Sequence, residues 1–186
     1  MASIQEAMSN SAKLLDAAAN GALEPAVLTA EVTKLLASSL GARGFMAALA
    51  TSDLPQDKTI RAALIEGIRA GKESSYELII KNIIMASCSA QEHEKNGRLD
   101  QAKLSRATST CSLELAGLLQ DSSLAELSRQ ALLAIDHWPP GEATQTAMDP
   151  EDPALITWQA FFERWGYSRQ YLDAVTADLR SIAEAA

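Results

Sequence analysis

The feature that most constrains the fold is a pair of long segments with helical periodicity, separated only by Asn96 and Gly97. Residues 72–96 contain neither glycine nor proline, and their apolar side chains recur every three or four residues, as on one face of an α-helix. Residues 98–120 show the same spacing, with one apolar stripe formed by Leu104, Ala107, Cys111, Leu115 and Leu118. Because the break between them is so short, the two helices are predicted to pack as an antiparallel hairpin at the core of the fold.

The rest of the chain is also predicted to be helical. Ser3 followed by Glu6 matches a capping box, and Pro25 is typical of the first turn of a second helix, which is predicted to run to Leu40 before Gly41. A short apolar turn is expected at residues 44–50, and further helices are expected around residues 60–68, 124–135, 154–165 and 168–185. Ser74 or Ser75 and Ser122 or Ser123 are predicted N-caps. The pattern predicts an all-α, mostly antiparallel bundle of about eight helices.

The composition changes after residue 136. Residues 137–153 hold four of the six prolines and four acidic residues, with no lysine or arginine, which is typical of an exposed linker. The chain is therefore divided into a helical bundle at 1–136, an acidic proline-rich linker at 137–153 and an aromatic C-terminal helical pair at 154–186. We expect the pair to dock on the bundle as one domain, or to exchange between protomers.

Several features predict a cytoplasmic protein with no membrane segment. The N-terminal residues lack the order of a secretory signal, and the most hydrophobic stretch, residues 78–86, is interrupted by Lys81 and Asn82. Two cysteines make no disulfide framework, so free thiols are expected. A chain of 186 residues that is 47% hydrophobic can bury a core without a metal or a disulfide.

The charges are unevenly distributed along the chain. The net charge of −8 has the wrong sign for extended contact with nucleic-acid phosphates. Residues 58–106 carry nine basic and six acidic side chains, whereas residues 107–186 carry four basic and twelve acidic ones. The basic middle is interpreted as a solvated helix surface, as a partner for the acidic C-terminal part of the same or a neighbouring chain, or as a site for an anionic partner.

Two apolar faces are candidates for an interface with another protein chain. Leu78 and Met85 lie seven residues apart, opposite the main apolar face of their helix. Six of the nine aromatic residues fall between residues 158 and 171. Four of these share one helical face: Trp158, Phe161, Phe162 and Trp165. This face either docks on the chain's own core or anchors a partner, since tryptophan and tyrosine are enriched at interface hot spots.

No catalytic, metal or cofactor site is predicted. His93 and His137 have neither metal-ligand spacing nor a Glu-x-x-His pairing, and no lysine follows a serine at the spacing of serine acylating enzymes. Helix ends account for the glycines at 41 and 44 and for the Gly71–Lys72 pair, so none of them is taken as part of a binding loop. Cys88 and Cys111 read as buried small hydrophobes, although together with Ser87 they are candidates to line a ligand pocket between the long helices.

These observations favour a non-catalytic helical protein-interaction or regulatory module that forms a homo-oligomer through Leu78 and Met85 or through the aromatic face. The alternative is a bundle that binds or senses a small ligand near Ser87, Cys88 and Cys111. A third class, an enzyme whose sparse polar groups converge only in three dimensions, is left open.

Overall fold

The computed structural model describes residues 3–139 and 152–185. Within these residues the chain forms helices and no strands, which confirms the all-α class. Ten helices are described: α1 (Ile4–Ala19), α2 (Pro25–Leu36), α3 (Ser39–Ala50), α4 (Lys58–Ala70), α5 (Lys72–Lys95), α6 (Leu99–Leu119), α7 (Ser122–Asp136), α8 (Pro153–Trp165), α9 (Arg169–Asp173) and α10 (Thr176–Glu184). None of them is both long enough and apolar enough to cross a bilayer.

The first four helices interleave, because α1 packs against α3 and α2 packs against α4. Glycines allow the helix pairs to approach closely. A Cβ atom at Gly44 would lie only 2.5 Å from the Cβ of Ala7, and one at Gly67 would lie 2.8 Å from the Cβ of Val32. The Thr29 hydroxyl also donates a hydrogen bond of 3.0 Å to the carbonyl oxygen of Ala63. The crossings of α1 with α3 and of α2 with α4 therefore require residues without a Cβ atom at Gly44 and Gly67.

The predicted central hairpin of α5 and α6 is present. Ile80 and Ile83 of α5 are fully buried, and the hydroxyl groups of Ser87 and Ser109 are 2.9 Å apart across the pair. Near the turn, Arg106 forms an ion pair with Glu94. Apolar packing, one polar contact and one exposed ion pair thus hold the two helices together along their length.

The three C-terminal helices pack against the bundle. Helix α8 contacts α7, α9 contacts α5, and α10 contacts α7 and α6. The side-chain amide of Gln91 donates a hydrogen bond of 3.2 Å to the carbonyl oxygen of Tyr171. Most of the predicted linker, residues 140–151, lies outside the described residues, and the division of the chain into domains stays a prediction.

Two helix boundaries were predicted wrongly. The second helix ends at Leu36 rather than Leu40, and Ser38 caps a new helix by accepting a hydrogen bond from the amide of Gly41. The expected apolar turn at 44–50 is therefore part of α3. The last predicted helix is divided into α9 and α10, so the C-terminal pair is a group of three helices.

Two N-caps also differ from the prediction. Helix α5 begins after Gly71, and Ser75 is buried inside its first turns. The cap of α7 is Asp121, whose carboxylate accepts a hydrogen bond of 2.8 Å from the amide of Ser123. A carboxylate at this position satisfies a free amide and also interacts favourably with the helix dipole, which explains why it replaces the neighbouring serines.

Candidate functional site

The second face of α5 forms a half-buried ridge. Leu78, Asn82, Met85 and Ser89 recur there at spacings of three and four residues, and all four are partly exposed. Leu78 and Met85 contact the hydrophobic core with part of their side chains. We call these four residues the α5 ridge. It presents apolar surface that the described helices cover only in part.

The aromatic face of α8 is mostly used inside the chain. Trp158, Phe161 and Phe162 are buried, and the rings of Trp158 and Phe161 meet edge to face with centroids 6.0 Å apart. This is the arrangement that the ring quadrupoles favour. Trp165 lies one helical turn beyond Phe161 and is 51% exposed. The expectation of a buried face therefore holds for three of the four aromatic residues, while Trp165 extends the face into solvent.

Lys81 connects the α5 ridge to the aromatic face of α8. Its ammonium nitrogen lies 5.3 Å from the ring centroid of Phe161 and 5.8 Å from that of Trp158. The same nitrogen is 2.5 Å from a carboxylate oxygen of Glu77. A cation placed between aromatic rings and a carboxylate is well compensated. From the sequence alone, Lys81 is only a charged residue that interrupts the apolar residues 78–86.

The two apolar surfaces that the sequence offered as separate interface candidates are consequently neighbours. Lys81 lies three residues after Leu78 and four before Met85, and its ammonium nitrogen lies over two rings of α8. We call the combined surface of Leu78, Lys81, Met85 and Trp165 the α5–α8 surface. It joins aliphatic and aromatic groups around a cation whose charge is already paired.

The structure places the three predicted pocket residues in different surroundings. Ser87 hydrogen-bonds with Ser109, Cys88 is buried in the core, and the thiol of Cys111 lies 3.5 Å from the carbonyl oxygen of Leu49. Burial raises the pKa of the Cys88 thiol to about 12. The pKa of Cys111 is also raised, first by burial and then by the carboxylates of Glu114 and Asp53. Both thiols are thus disfavoured as nucleophiles at neutral pH.

Cys111 lines a cleft of about 500 Å³. One wall of the cleft is formed by α6, and the other is formed by the end of α3 and the residues that follow it. Three of the α6 residues that line the cleft, Leu104, Ala107 and Cys111, belong to the stripe that the sequence predicts for this helix. The lining residues are Ala50, Thr51, Ser52, Asp53, Leu54, Leu104, Ala107, Thr108, Thr110, Cys111 and Glu114. Leu104 is 71% exposed, which periodicity alone does not reveal.

A second cleft of about 540 Å³ lies between the beginning of α5 and α7. Tyr76 lines it with a side chain that is only 1% exposed, and its hydroxyl oxygen makes no hydrogen bond within the described residues. Burial, followed by the nearby Asp121 carboxylate, raises the pKa of Tyr76 to about 12. The tyrosine therefore remains protonated, and its buried hydroxyl faces the Asp121 carboxylate.

The two histidines lie at helix ends. His93 lies in the last turn of α5, and His137 ends α7. Among residues 3–139 and 152–185, no group of three His, Cys, Asp or Glu side chains is arranged to hold a metal ion.

Comparison with known proteins yields one family. A family model described as "Uncharacterised conserved protein UCP020893" matches residues 3–182. Neither the curated proteins nor the solved structures yield a match.

Proposed function

The chain belongs to this family of uncharacterised conserved proteins, and we propose that it is a non-catalytic protein-interaction or regulatory module that self-associates in the cytosol. The α5–α8 surface is the proposed interface. The observation that supports this proposal is the position of Lys81 against Phe161 and Trp158, because it brings the α5 ridge next to the aromatic face of α8.

The chemistry of this surface suits contact with another protein chain. A half-exposed tryptophan and partly exposed aliphatic side chains supply the kind of apolar area on which interface hot spots depend. The charge of Lys81 is paired with Glu77 within the chain. A second chain can therefore cover the ridge without leaving an unpaired ammonium group in the interface.

The spacing on α5 is compatible with a symmetric dimer. Leu78 and Met85 are equally far in sequence from a point between Lys81 and Asn82. A twofold axis at that point would place Leu78 of one copy against Met85 of the other, so that the same surface serves both chains. The proposed assembly is thus a homodimer with α5 ridges packed antiparallel.

The test compares two double variants that add the same charge. Leu78→Glu with Met85→Glu is expected to convert the assembly to a monomer, measured by light scattering after size-exclusion chromatography, while circular dichroism still reports helix. Leu99→Glu with Leu104→Glu changes two exposed leucines of α6 and is expected to leave the mass unchanged. A wild-type protein that is monomeric at all concentrations would overturn the proposal, and so would dissociation of the α6 control alone.

A second candidate function, binding of a small polar ligand, is supported by the cleft between α5 and α7. Its volume of about 540 Å³ falls in the range of ligand sites, and Tyr76 lines the cleft together with the polar side chains of Lys72 and Gln130. Native mass spectrometry of the purified protein, followed by a denatured spectrum, tests this function. Extra mass that is lost on denaturation, and is absent from Tyr76→Phe, would support it; bare-chain mass in the wild type would contradict it.

A further inference from the structure

The apolar stripe of α6 is covered at one end and uncovered at the other. Leu115, near the C-terminal end, is 2% exposed, whereas Leu104 is 71% exposed. Ala107, between them, is also exposed. Since all three lie on one side of the helix, the first half of the stripe carries apolar surface for which the described residues supply no cover.

The uncovered half of the stripe forms one wall of the cleft beside Cys111. The opposite wall comes from the end of α3 and the residues after it, where Leu54 is buried and Asp53 is exposed. The thiol of Cys111 on α6 lies 3.5 Å from the carbonyl oxygen of Leu49 on α3, so the two walls are in contact at these residues. The cleft therefore has an apolar floor between helix α6 on one side and the end of α3 with its following loop on the other.

The rim of this cleft is acidic. Asp53 and Glu114 both line it, and both carboxylates act on the Cys111 thiol. In the described part of the chain, neither carboxylate has a cationic side chain within 4.0 Å. An occupant with positive charge at its edges would complement this rim.

The residues that line the cleft determine which kind of peptide it can bind. Strand addition requires an exposed sheet edge, and the described residues contain no strand. Polyproline recognition requires an aromatic groove, and none of the lining residues is aromatic. A helix laid into a groove requires apolar side chains at helical spacing, which Leu104, Ala107 and Cys111 supply over about 10 Å.

We propose that the cleft between α6 and the segment after α3 is a docking site for an amphipathic helix of a different protein, with apolar side chains on the face that enters the cleft and lysine or arginine residues beside that face. This surface shares no residue with the α5–α8 surface. The two proposals do not depend on each other.

The test uses a synthetic helical peptide with leucines at heptad spacing and lysines flanking them. A matched peptide has glutamates in place of the lysines, and both carry a fluorescein label. Fluorescence anisotropy is expected to show binding of the lysine peptide to the full chain and much weaker binding of the glutamate peptide. Leu104→Glu is expected to weaken binding by about tenfold or more, as for a central hot-spot residue.

Charge reversal provides the matched control. Asp53→Lys with Glu114→Lys changes two exposed side chains and is expected to reverse the preference between the two peptides. Equal binding of both peptides, binding of neither, or an unchanged preference in this variant would overturn the proposal. If Leu104→Glu instead lowers the mass of the assembly, the occupant is a second copy of this chain, which also contradicts it.

The cysteines provide a second readout that does not depend on a variant. At alkaline pH, where its thiolate forms, a thiol reagent should modify Cys111, which lines the cleft, and should spare Cys88, which is buried. Saturation with the lysine peptide is expected to slow the modification of Cys111 several-fold. An unchanged rate in the presence of bound peptide would place the peptide elsewhere on the protein and overturn the proposal.

Discussion

The indole nitrogen of Trp138 donates a hydrogen bond of 2.9 Å to the carbonyl oxygen of Tyr167. The bond joins the residue after the α7 cap to the turn between α8 and α9. The ring of Trp138 also meets Phe162 edge to face, with centroids 5.7 Å apart. Trp138 therefore fixes the C-terminal helices to the bundle through a polar and an aromatic contact at once.

Replacing Trp138 by phenylalanine is expected to destabilise the protein by about 1–3 kcal/mol, since it removes the donor and leaves the Tyr167 carbonyl oxygen unpaired. Urea unfolding, followed by circular dichroism, measures the change. Trp165→Phe is the matched control, because Trp165 is half exposed, and it should change the free energy of unfolding much less. Equal losses in the two variants would contradict the role given to the indole nitrogen.

Two glycine-to-alanine substitutions are expected to act in opposite directions. At Gly44 the new Cβ would meet the Ala7 carbonyl carbon at 2.8 Å, so that α1 must move, at a cost of about 1–3 kcal/mol. At Gly117 no atom lies within 4 Å of the new Cβ, and the better helix propensity of alanine should stabilise the protein by about 0.5–1 kcal/mol. Thermal unfolding measures both, and stabilisation by Gly44→Ala would disprove the close crossing.

Asp121→Ala is expected to cost about 1 kcal/mol at neutral pH, because it removes the N-cap of α7. The hydrogen bond from the Ser123 amide is the main reason that the pKa of Asp121 lies below its usual value. A lowered folded-state pKa gives stability that is present above the unfolded-state pKa and is lost as the pH falls through the folded-state pKa. The difference from the wild type should therefore shrink in acid. Urea titrations across acidic pH check this, and a constant difference would count against it.

Asp178→Asn is expected to show the opposite dependence. Burial raises the pKa of Asp178, so its contribution to stability is fully present below the unfolded-state pKa and is lost as the pH rises through the folded-state pKa. At neutral pH the variant should be more stable than the wild type, because a partly buried charge has been removed. This advantage should decrease in acid, as measured by the same titrations; a variant that is less stable at neutral pH would refute it.

Local signals predicted most of the helices. Both hydrogen bonds of the Ser3–Glu6 capping box are present: the Ser3 amide donates to the Glu6 carboxylate, and the Glu6 amide donates to the Ser3 hydroxyl. The capping box depends only on two residues that lie three apart in the sequence. The start of α3 was missed because Gly41 and Gly44 resemble helix stops, whereas α1 packs so closely on Gly44 that a glycine is needed inside the helix. The contact between α1 and α3 therefore determines that the helix continues through Gly44, and no pattern of neighbouring residues indicates this contact.

The candidate site was also predicted only in part from the sequence. Periodicity identified Leu78, Met85 and the aromatic face, but it treated them as alternatives. Their proximity depends on Lys81 meeting rings from a helix far along the chain. Leu104 and Leu115 belong to the same predicted stripe, and only the packing of other helices distinguishes the exposed one from the buried one. The cleft beside Cys111 was therefore beyond what a sequence pattern can show.

The interleaving of the first four helices sets the order in which a newly synthesised chain can bury its apolar side chains. Helix α1 meets its main partner only after α3 has left the ribosome, and α2 must wait for α4. A nascent chain that has reached Leu36 still exposes Leu28 and Val32, which are fully buried in the finished protein. These residues stay exposed until α4 has been made and can pack against α2.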